Sequence, residues 1–479
     1  MTATLTPKSL LHKGARACLR SRVVVGREDA VVGFNFIGAD RDQVFLLPPD
    51  LRDWLPPDHL AWFVIDVVDQ VDLTRFRAAY RADGHGRAAY DPAVLVAVLL
   101  YAYCAGIRSS RVIERRCQED VAFRVLAGGL FPDHVTFARF RTRHAQALAA
   151  VFVDSLRLCA EAGLVRLGAV ALDGSKIGAD ARPDGNRTLA ELDALINGML
   201  AEAAAVDAAE DARESNDPPM PPGMADRDRR LARLREAKAR LEADAQARAE
   251  RFARRSEQVN TARAGKGLPP RTLRPRPRDE APRPRAVVNP TDPDSRLMRS
   301  YGHSVQGYNA QLVATGEQII IAAEVTQDAN DVEQLAPMLS AARTALASAG
   351  ISEPIRALAA DAGYWRAANV DGSIPDAPEL FIAVANHARR GKPRKDGQPS
   401  DSKTDHLVAA MRQRLATETG RRMMRLRATT VEPLFGQTKH ARAIRRFTRR
   451  GLPAAQAEWK LIAATSNLLK LYRASLQPA

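Results

Sequence analysis

The chain has 479 residues, room for two or three domains and a sizeable core, and its 46% apolar content excludes a largely disordered protein. A net charge of +15 points to a polyanionic partner, nucleic acid before an anionic membrane. Only 5% of residues are aromatic, which argues against a single-strand binder working by base stacking. Cys18, Cys104, Cys117 and Cys159 have neither CxxC spacing nor paired histidines nearby, so no zinc site and no disulfide framework is expected, and the compartment is a reducing one, the cytoplasm.

Residues 1–33 are basic and without periodicity, a loose extension whose Leu10-Leu11 is too brief for the apolar centre of a signal peptide. Residues 34–158 read as an all-helical N-terminal domain after a proline-rich lead-in. Trp62, Ile65, Val68, Val71 and Phe76 are placed on one face of a first helix. Asp91-Pro92 caps an apolar helix from Ala93, and the run to Ile107 is short of a bilayer span, so it is expected in a core. Ser109-Ser110 opens a third helix. Beyond a turn at Gly128-Gly129, a further helix carries Arg139, Arg141 and Arg143. Short helices ending in a basic member fit helix-turn-helix DNA binding and a solvated basic face equally well.

In Val170-Ala-Leu-Asp-Gly-Ser-Lys176 an apolar, β-prone run stops at a carboxylate. It reads as a buried strand delivering Asp173 at its tip, with Gly174 turning the backbone away. Residues 186–295 read as an insertion. Two helical arms, Leu189 to about Arg213 and Ala225 to Arg255, share a narrow apolar seam with Leu231, Leu234 and Leu241, and an Arg/Pro-rich connector from Thr261 to Pro293, as in Arg271–Arg278, cannot form a core.

The remainder, 159–185 with 296–479, is expected to form the catalytic domain. Tyr308–Ala314 and Gln318–Val325 make a hairpin, Asp331–Ser348 an amphipathic helix, the run from Ile355 a strand ending at Asp361, and Leu380–Ala385 another strand. This order gives an α/β fold, an RNase H-like mixed sheet with helices on its faces, in which the first and fourth strands are neighbours and bring Asp173 to Asp361. Asn309 and Gln311 either orient an active-site ligand or decorate the hairpin, the second reading being preferred, and Asp328, Asn330 and Asp331 read as an N-cap cluster.

A third carboxylate, Glu432, is placed at the start of a strongly basic helix. Glu432, Gly436, Lys439 and Ala443 would share one face, with Lys439 two turns along, where it would hold a phosphate. Arg442, Arg445, Arg446, Arg449 and Arg450 read as a phosphate-tracking surface. The bland alternative for Glu432 is a capping box with Thr429, which Pro433 disfavours. Separated carboxylates in a basic chain suit phosphodiester chemistry with two Mg²⁺ ions about 3.5–4 Å apart, one activating the nucleophile and one stabilising the leaving oxygen. Hard oxygen ligands suffice for Mg²⁺, and Mn²⁺ would substitute. Asp173 is assigned as the bridging ligand, with Asp361 and Glu432 each completing one ion. No G-x-x-x-x-G-K-[ST] loop occurs, so no nucleotide cofactor is expected, nor a membrane partner.

Several segments carry a family likeness in order: Ser109-Ser-Arg-Val-Ile-Glu, Pro132-Asp-His-Val-Thr-Phe-Ala-Arg-Phe-Arg, Leu172-Asp-Gly-Ser-Lys, Gln306-Gly-Tyr-Asn-Ala-Gln, Ala360-Asp-Ala-Gly-Tyr and Val431-Glu-Pro-Leu-Phe-Gly-Gln-Thr-Lys. Through them the chain resembles bacterial insertion-sequence transposases of the DDE class, from Phe36 to about Leu471. The resemblance implies two divalent metals and the cutting and joining of DNA at element ends. Asp173, Asp361 and Glu432 match the acidic triad, and Lys439 matches the lysine of the last helix. Related sequences carry a basic residue four positions before the glutamate, where this chain has Ala428, with Arg427 one step off. The partners expected are double-stranded DNA, both element ends and target, and a second copy of the chain, as a homodimer or larger assembly on paired ends at the nucleoid. Two alternatives stand beside this: a catalytically inactive DNA-binding relic, and a nuclease of the same fold.

Overall fold

The computed structural model describes residues 36–37, 50–83, 85–211, 224–274, 285–300, 302–384 and 405–477. The N-terminal extension, the proline-rich break between the two helical arms and connector residues 275–284 lie outside them. The chain divides into two compact units. One comprises residues 1–175, 309–448 and 453–479, the other residues 176–308 and 449–452.

The first unit opens with helices α1 (Leu60–Val68), α2 (Thr74–Arg77), α3 (Pro92–Cys104), α4 (Ser110–Glu119), α5 (Val121–Leu126), α6 (His134–Arg143) and α7 (Ala145–Glu161). Strands β1 (Phe36–Ile37) and β2 (Ala89–Tyr90) pair in parallel beside them. The buried face of α1 is Ala61, Val64, Val67 and Val68 rather than the Trp62–Ile65–Val68 face read from the sequence, and Phe76 is buried from the separate helix α2. A nine-residue helix is too short for periodicity alone to fix which side faces in. Asp91 caps α3 by accepting the Ala93 amide at 2.9 Å, and Pro92 takes the first turn, where its missing N–H costs nothing. Nearly all of α3 is buried, as its composition demands. Among the described residues no helix is long and apolar enough to cross a membrane.

The main sheet contains β3 (Val170–Gly178), β6 (Arg296–Ser300), β7 (His303–Thr315), β8 (Ile320–Thr326), β9 (Ala357–Ala360) and β10 (Glu379–Ile382); β4 (Arg187–Thr188) and β5 (Val287–Val288) form a separate antiparallel pair. Its order is β10-β9-β3-β7-β6, with β8 also paired to β7. Strands β3, β9 and β10 are parallel, and β7 and β8 form an antiparallel hairpin. Val170-Ala-Leu and Leu358-Ala-Ala are wholly apolar and buried because a parallel strand between covered faces has no wet side. The hairpin turns through Gly316 and through Gln318 at φ 65°.

Helix α10 (Leu335–Ser348) packs on β8, and α11 (Ala367–Val370), α12 (Asp405–Ala416), α13 (Glu418–Gly436) and α14 (Leu452–Ser475) follow, α13 lying on β9 and β10. From α14, Asn467 accepts the Ile320 amide at 2.8 Å and donates to the Ile320 carbonyl at 2.9 Å. Its carboxamide thereby satisfies a buried residue of β8 as a neighbouring strand would.

In the second unit, α8 (Leu189–Asp211) and α9 (Met224–Ala264) pack along Leu192, Ile196, Leu234, Ala237 and Leu241, closed by Val288, with Leu231 half-buried at the margin. Arg296 reaches Asp244 at 2.7 Å and Arg240 reaches Asp294 at 3.4 Å, tying α9 to the segment that follows it. This unit also takes in Arg296–Tyr308, which the sequence reading assigned to the catalytic part. There β6 pairs with the first half of β7, from Arg296↔Gly307 to Ser300↔His303.

Candidate active site

The last residues paired between β3 and β9 are Leu172 and Ala360, which face each other in register; Asp361 follows the end of β9, whereas β3 runs on to Gly178, so Asp173 lies within β3 just past its pairing with β9 rather than at the strand tip read from the sequence. Each carboxylate is held by the amide of a glycine close after it, Gly174 within β3 and Gly363 in the turn after β9. Asp173 accepts Gly174 N at 2.8 Å and Asp361 accepts Gly363 N at 2.8 Å. Burial is the main cause that pushes the Asp173 carboxyl up to about 6, and the neighbouring Asp361 charge adds to it, while Arg427 and the Gly174 amide pull the other way and Asp331 pushes further up.

Glu432 reaches this site from a different part of its helix than the sequence reading placed it. Helix α13 begins at Glu418, capped by Thr417, whose Oγ1 accepts Gly420 N at 3.0 Å; Glu432 lies near the other end. The Thr429 hydroxyl donates back to the carbonyls of Arg425 and Leu426 inside the helix, so no capping box forms with Glu432. Pro433 sits within the helix, and the chain widens into a π turn over Gln437–Ala441. The expected face of Glu432, Gly436, Lys439 and Ala443 is therefore broken after Gly436, and Ala443 lies beyond the helix at φ 53°.

The π turn carries Lys439, whose Nζ donates to Ser175 Oγ at 2.5 Å, two positions from Asp173. Arg427 joins the carboxylates. Its Nη1 lies 3.0 Å from Asp173 Oδ2 and its Nη2 3.2 Å from Glu432 Oε1, with only 17% of its side chain exposed. The basic residue one step off the family's usual position thus does contact two of the three carboxylates.

Four further residues stand beside these carboxylates: Asn309 and Gln311, for which hairpin decoration is the reading preferred from sequence, and Asp331 and Tyr364, to which that reading gives no role at the site. Asn309 donates to Asp331 Oδ1 at 2.6 Å, Gln311 donates to the same oxygen at 2.7 Å, and the Tyr364 hydroxyl donates to Gln311 Oε1. Asp331 is not the cap of α10, which starts at Leu335 after Gln334, and Asn309 and Gln311 are fully buried rather than decorating the hairpin. The signal was present in the sequence: two amides at alternate positions of an otherwise apolar strand share one face, and a buried polar pair asks for a partner.

Among the described residues no three His, Cys, Asp or Glu side chains stand close enough together to hold a metal ion. The donor chemistry nonetheless fits a hard divalent cation. Asp173 and Asp361 offer only oxygen and repel each other, and the buried Oδ1 of Asn309 has no hydrogen-bond partner.

The arginines divide into two groups. Arg139 and Arg143 are exposed on α6, with Arg143 stacked over Tyr80 at 4.6 Å. Arg141 is not part of that surface. It is 9% exposed and donates to Arg108 O at 2.7 Å and Ser110 Oγ at 2.5 Å, holding the start of α4. Arg442 likewise turns inward, 8% exposed, donating to Thr465 Oγ1 at 2.8 Å and Ser466 Oγ at 2.7 Å on α14, and burial lowers its pKa to about 10. Arg445 and Arg446 are exposed, and Arg445 Nε donates to Lys439 O at 3.1 Å, bracing the lysine turn. Arg449 is half-buried and belongs, with Arg450, to the second unit, where Arg450 pairs with Asp180 at 3.0 Å.

Residues 49–143 match the model of a transposase domain (DUF772), and residues 392–472 match a transposase DDE domain. Two stretches of the chain thus match transposase domains, the second of the DDE class. Glu432 and Lys439 fall within the DDE match, Arg139, Arg141 and Arg143 at the end of the other, and Asp173 and Asp361 between the two. No curated protein and no solved structure matches the chain.

The raised Asp173 pKa gives a pH test of this geometry. A carboxyl whose folded pKa lies above its unfolded value stabilises the fold fully below about 3.8 and loses that contribution as pH rises through about 6. With divalent ions chelated, stability is expected to fall by about 1–3 kcal/mol across that window, and Asp173→Asn to remove this component. Thermal unfolding of both proteins between pH 4 and 7 checks it; parallel profiles would show that Asp173 titrates normally.

Proposed function

We propose that this chain is a DNA transposase that binds the ends of its own insertion sequence and catalyses metal-dependent strand cleavage and strand transfer. The observation that carries the reading is the convergence, from three distant stretches of sequence, of Asp173, Asp361, Glu432, Arg427 and Lys439 where the pairing of the adjacent parallel strands β3 and β9 stops. The strand order supports an RNase H-like domain, with the hairpin on one side of β3 and the two parallel strands on the other.

Asp173, Asp361 and Glu432 are the residues that would hold Mg²⁺, with Mn²⁺ as substitute. Bound there, the ions would activate a water or a 3′-hydroxyl and stabilise the leaving oxygen. The chain's own groups do the rest. Gly174 N and Gly363 N each hold one oxygen, Oδ1, of Asp173 and Asp361, and the other oxygen of Asp173 faces Arg427. Lys439, on a turn braced by Arg445, offers an ammonium to the scissile phosphate beside Asp173. Arg427 keeps Asp173 and Glu432 in register and offers a second cation to the same phosphate. Arg445 and Arg446, with Arg139 and Arg143 on the N-terminal helices, are proposed to bind the DNA backbone, and a homodimer or larger assembly to bring two ends together.

The test is strand cleavage of DNA carrying the element's own ends, with Mg²⁺ against EDTA. Metal-dependent nicking at the ends is expected. Binding without cleavage would favour the inactive relic, and cutting without preference for the ends would favour the nuclease. In the same samples, Arg445→Ala with Arg446→Ala should flatten the log–log salt dependence of binding by about 0.9 for each phosphate that is no longer neutralised; an unchanged slope would mean that neither arginine touches DNA.

A further inference from the structure

We infer that Asp331 is a fourth carboxylate of this site, a positioning residue that adds negative charge beside Asp173 and Asp361 and fixes the backbone that follows them. The inference rests on the metal-dependent reading proposed above and deepens it. Asp331 Oδ1 lies against Gly174 and Oδ2 against Gly363. A side chain at Gly174, next to Asp173, would collide with the Gln311 amide and stand 2.8 Å from Asp331 Oδ1. A side chain at Gly363 would stand 2.9 Å from Asp361 Oδ1 and 3.4 Å from Asp331 Oδ2. The two glycines are therefore the residues that leave room for Asp331 to approach the backbone after both aspartates.

The anchoring is built from the sheet side. Asn309 and Gln311 hold Oδ1, Gln311 is itself held by the Tyr364 hydroxyl, and the Gln311 carbonyl accepts the Trp459 indole N–H at 3.0 Å. Oδ2 lies on the side of Gly363. The bonds from Asn309 and Gln311 do not by themselves require a charge here, since an asparagine carbonyl would accept the same two amides. A third anion placed beside two others is repelled by both and raises the local demand for a cation. Groups that orient or charge a metal site from behind its ligands alter metal affinity by roughly 10–100-fold.

The test uses the full chain. Binding of Mn²⁺ is followed without DNA through the electron paramagnetic resonance signal of the free ion, beside cleavage of end-containing DNA and a gel shift. Asp331→Asn, which keeps the two hydrogen bonds, should raise the half-saturating Mn²⁺ concentration about tenfold or more. DNA affinity without metal should stay within about twofold, and cleavage should recover toward wild type as Mn²⁺ is raised. If Asp331→Asn fails to fold, Asp331→Ala removes the same charge without replacing the acceptor and should show at least the same shift. Wild-type Mn²⁺ affinity in either variant, with a wild type that binds metal and cuts, overturns the role of Asp331 alone. A wild type that neither binds Mn²⁺ nor cuts overturns the metal-dependent reading and this inference with it.

Discussion

Asp361→Asn is expected to abolish strand cleavage, by about 10³-fold or more, while DNA binding without metal holds or strengthens. Asp361 and Asp173 each follow the last residue of the β3–β9 pairing, and the two share one electrostatic environment, so removing either charge is expected to dismantle the site rather than weaken it. Asp173→Asn and Glu432→Gln should each cost nearly as much as all three changes together, because residues that act on one bound ion behave as a unit. Asp173→Asn also frees Arg427 from one of its two carboxylate partners, which should strengthen its hold on a phosphate. The measurement is cleavage and gel shift on the same samples with Mg²⁺, Mn²⁺ and Ca²⁺, the last supporting binding with little cutting because its looser coordination aims the nucleophile poorly. Cleavage by Asp361→Asn or Glu432→Gln at near wild-type rate would remove that residue from the site.

A second large effect is expected on stability. Glu458 on α14 is buried and holds three donors at once: Arg108 Nη1 at 3.0 Å, Thr448 N at 2.9 Å and Thr448 Oγ1 at 2.9 Å. Arg108 in turn donates to Arg446 O at 2.5 Å, so this ion pair pins the basic segment behind Lys439 to the N-terminal helices of the same unit. Glu458→Ala leaves a guanidinium only 11% exposed without its counter-charge and should destabilise the fold by about 3–5 kcal/mol. Replacing both partners with well-packed apolar residues should cost much less, since no buried charge is then stranded. Denaturant unfolding followed through Trp459 fluorescence measures both. A single-variant loss under about 1 kcal/mol would mean that water reaches Arg108.

Local pattern was enough wherever a single physical signal decided the outcome. The apolar composition of α3 demanded burial on every side, Asp91-Pro92 marked its start, and two apolar runs became covered parallel strands, β9 stopping just before Asp361 as expected while β3 runs on past Asp173 to Gly178. The likeness to the transposase family added Glu432 and Lys439, whose neighbourhood the DDE domain match also covers. Spacing misled where the backbone departed from a regular helix. Counting a regular helix onward from Glu432 overlooked both the helix already running from Glu418 and the π turn after Gly436, so Ala443 was placed on a face that does not exist.

Tertiary structure alone decided which polar groups meet. Arg141 and Arg442 look in sequence like their exposed neighbours, yet each is turned inward by oxygens from other segments, Arg108 and Ser110 for one, Thr465 and Ser466 for the other. Charge in a sequence reports only that a group must be solvated or paired, and the partner that replaces water is fixed by packing. The same holds for Asp331. Nothing local distinguishes it from a helix cap, and only the approach of β7 and of the backbone after Asp173 and Asp361 makes it a neighbour of the site.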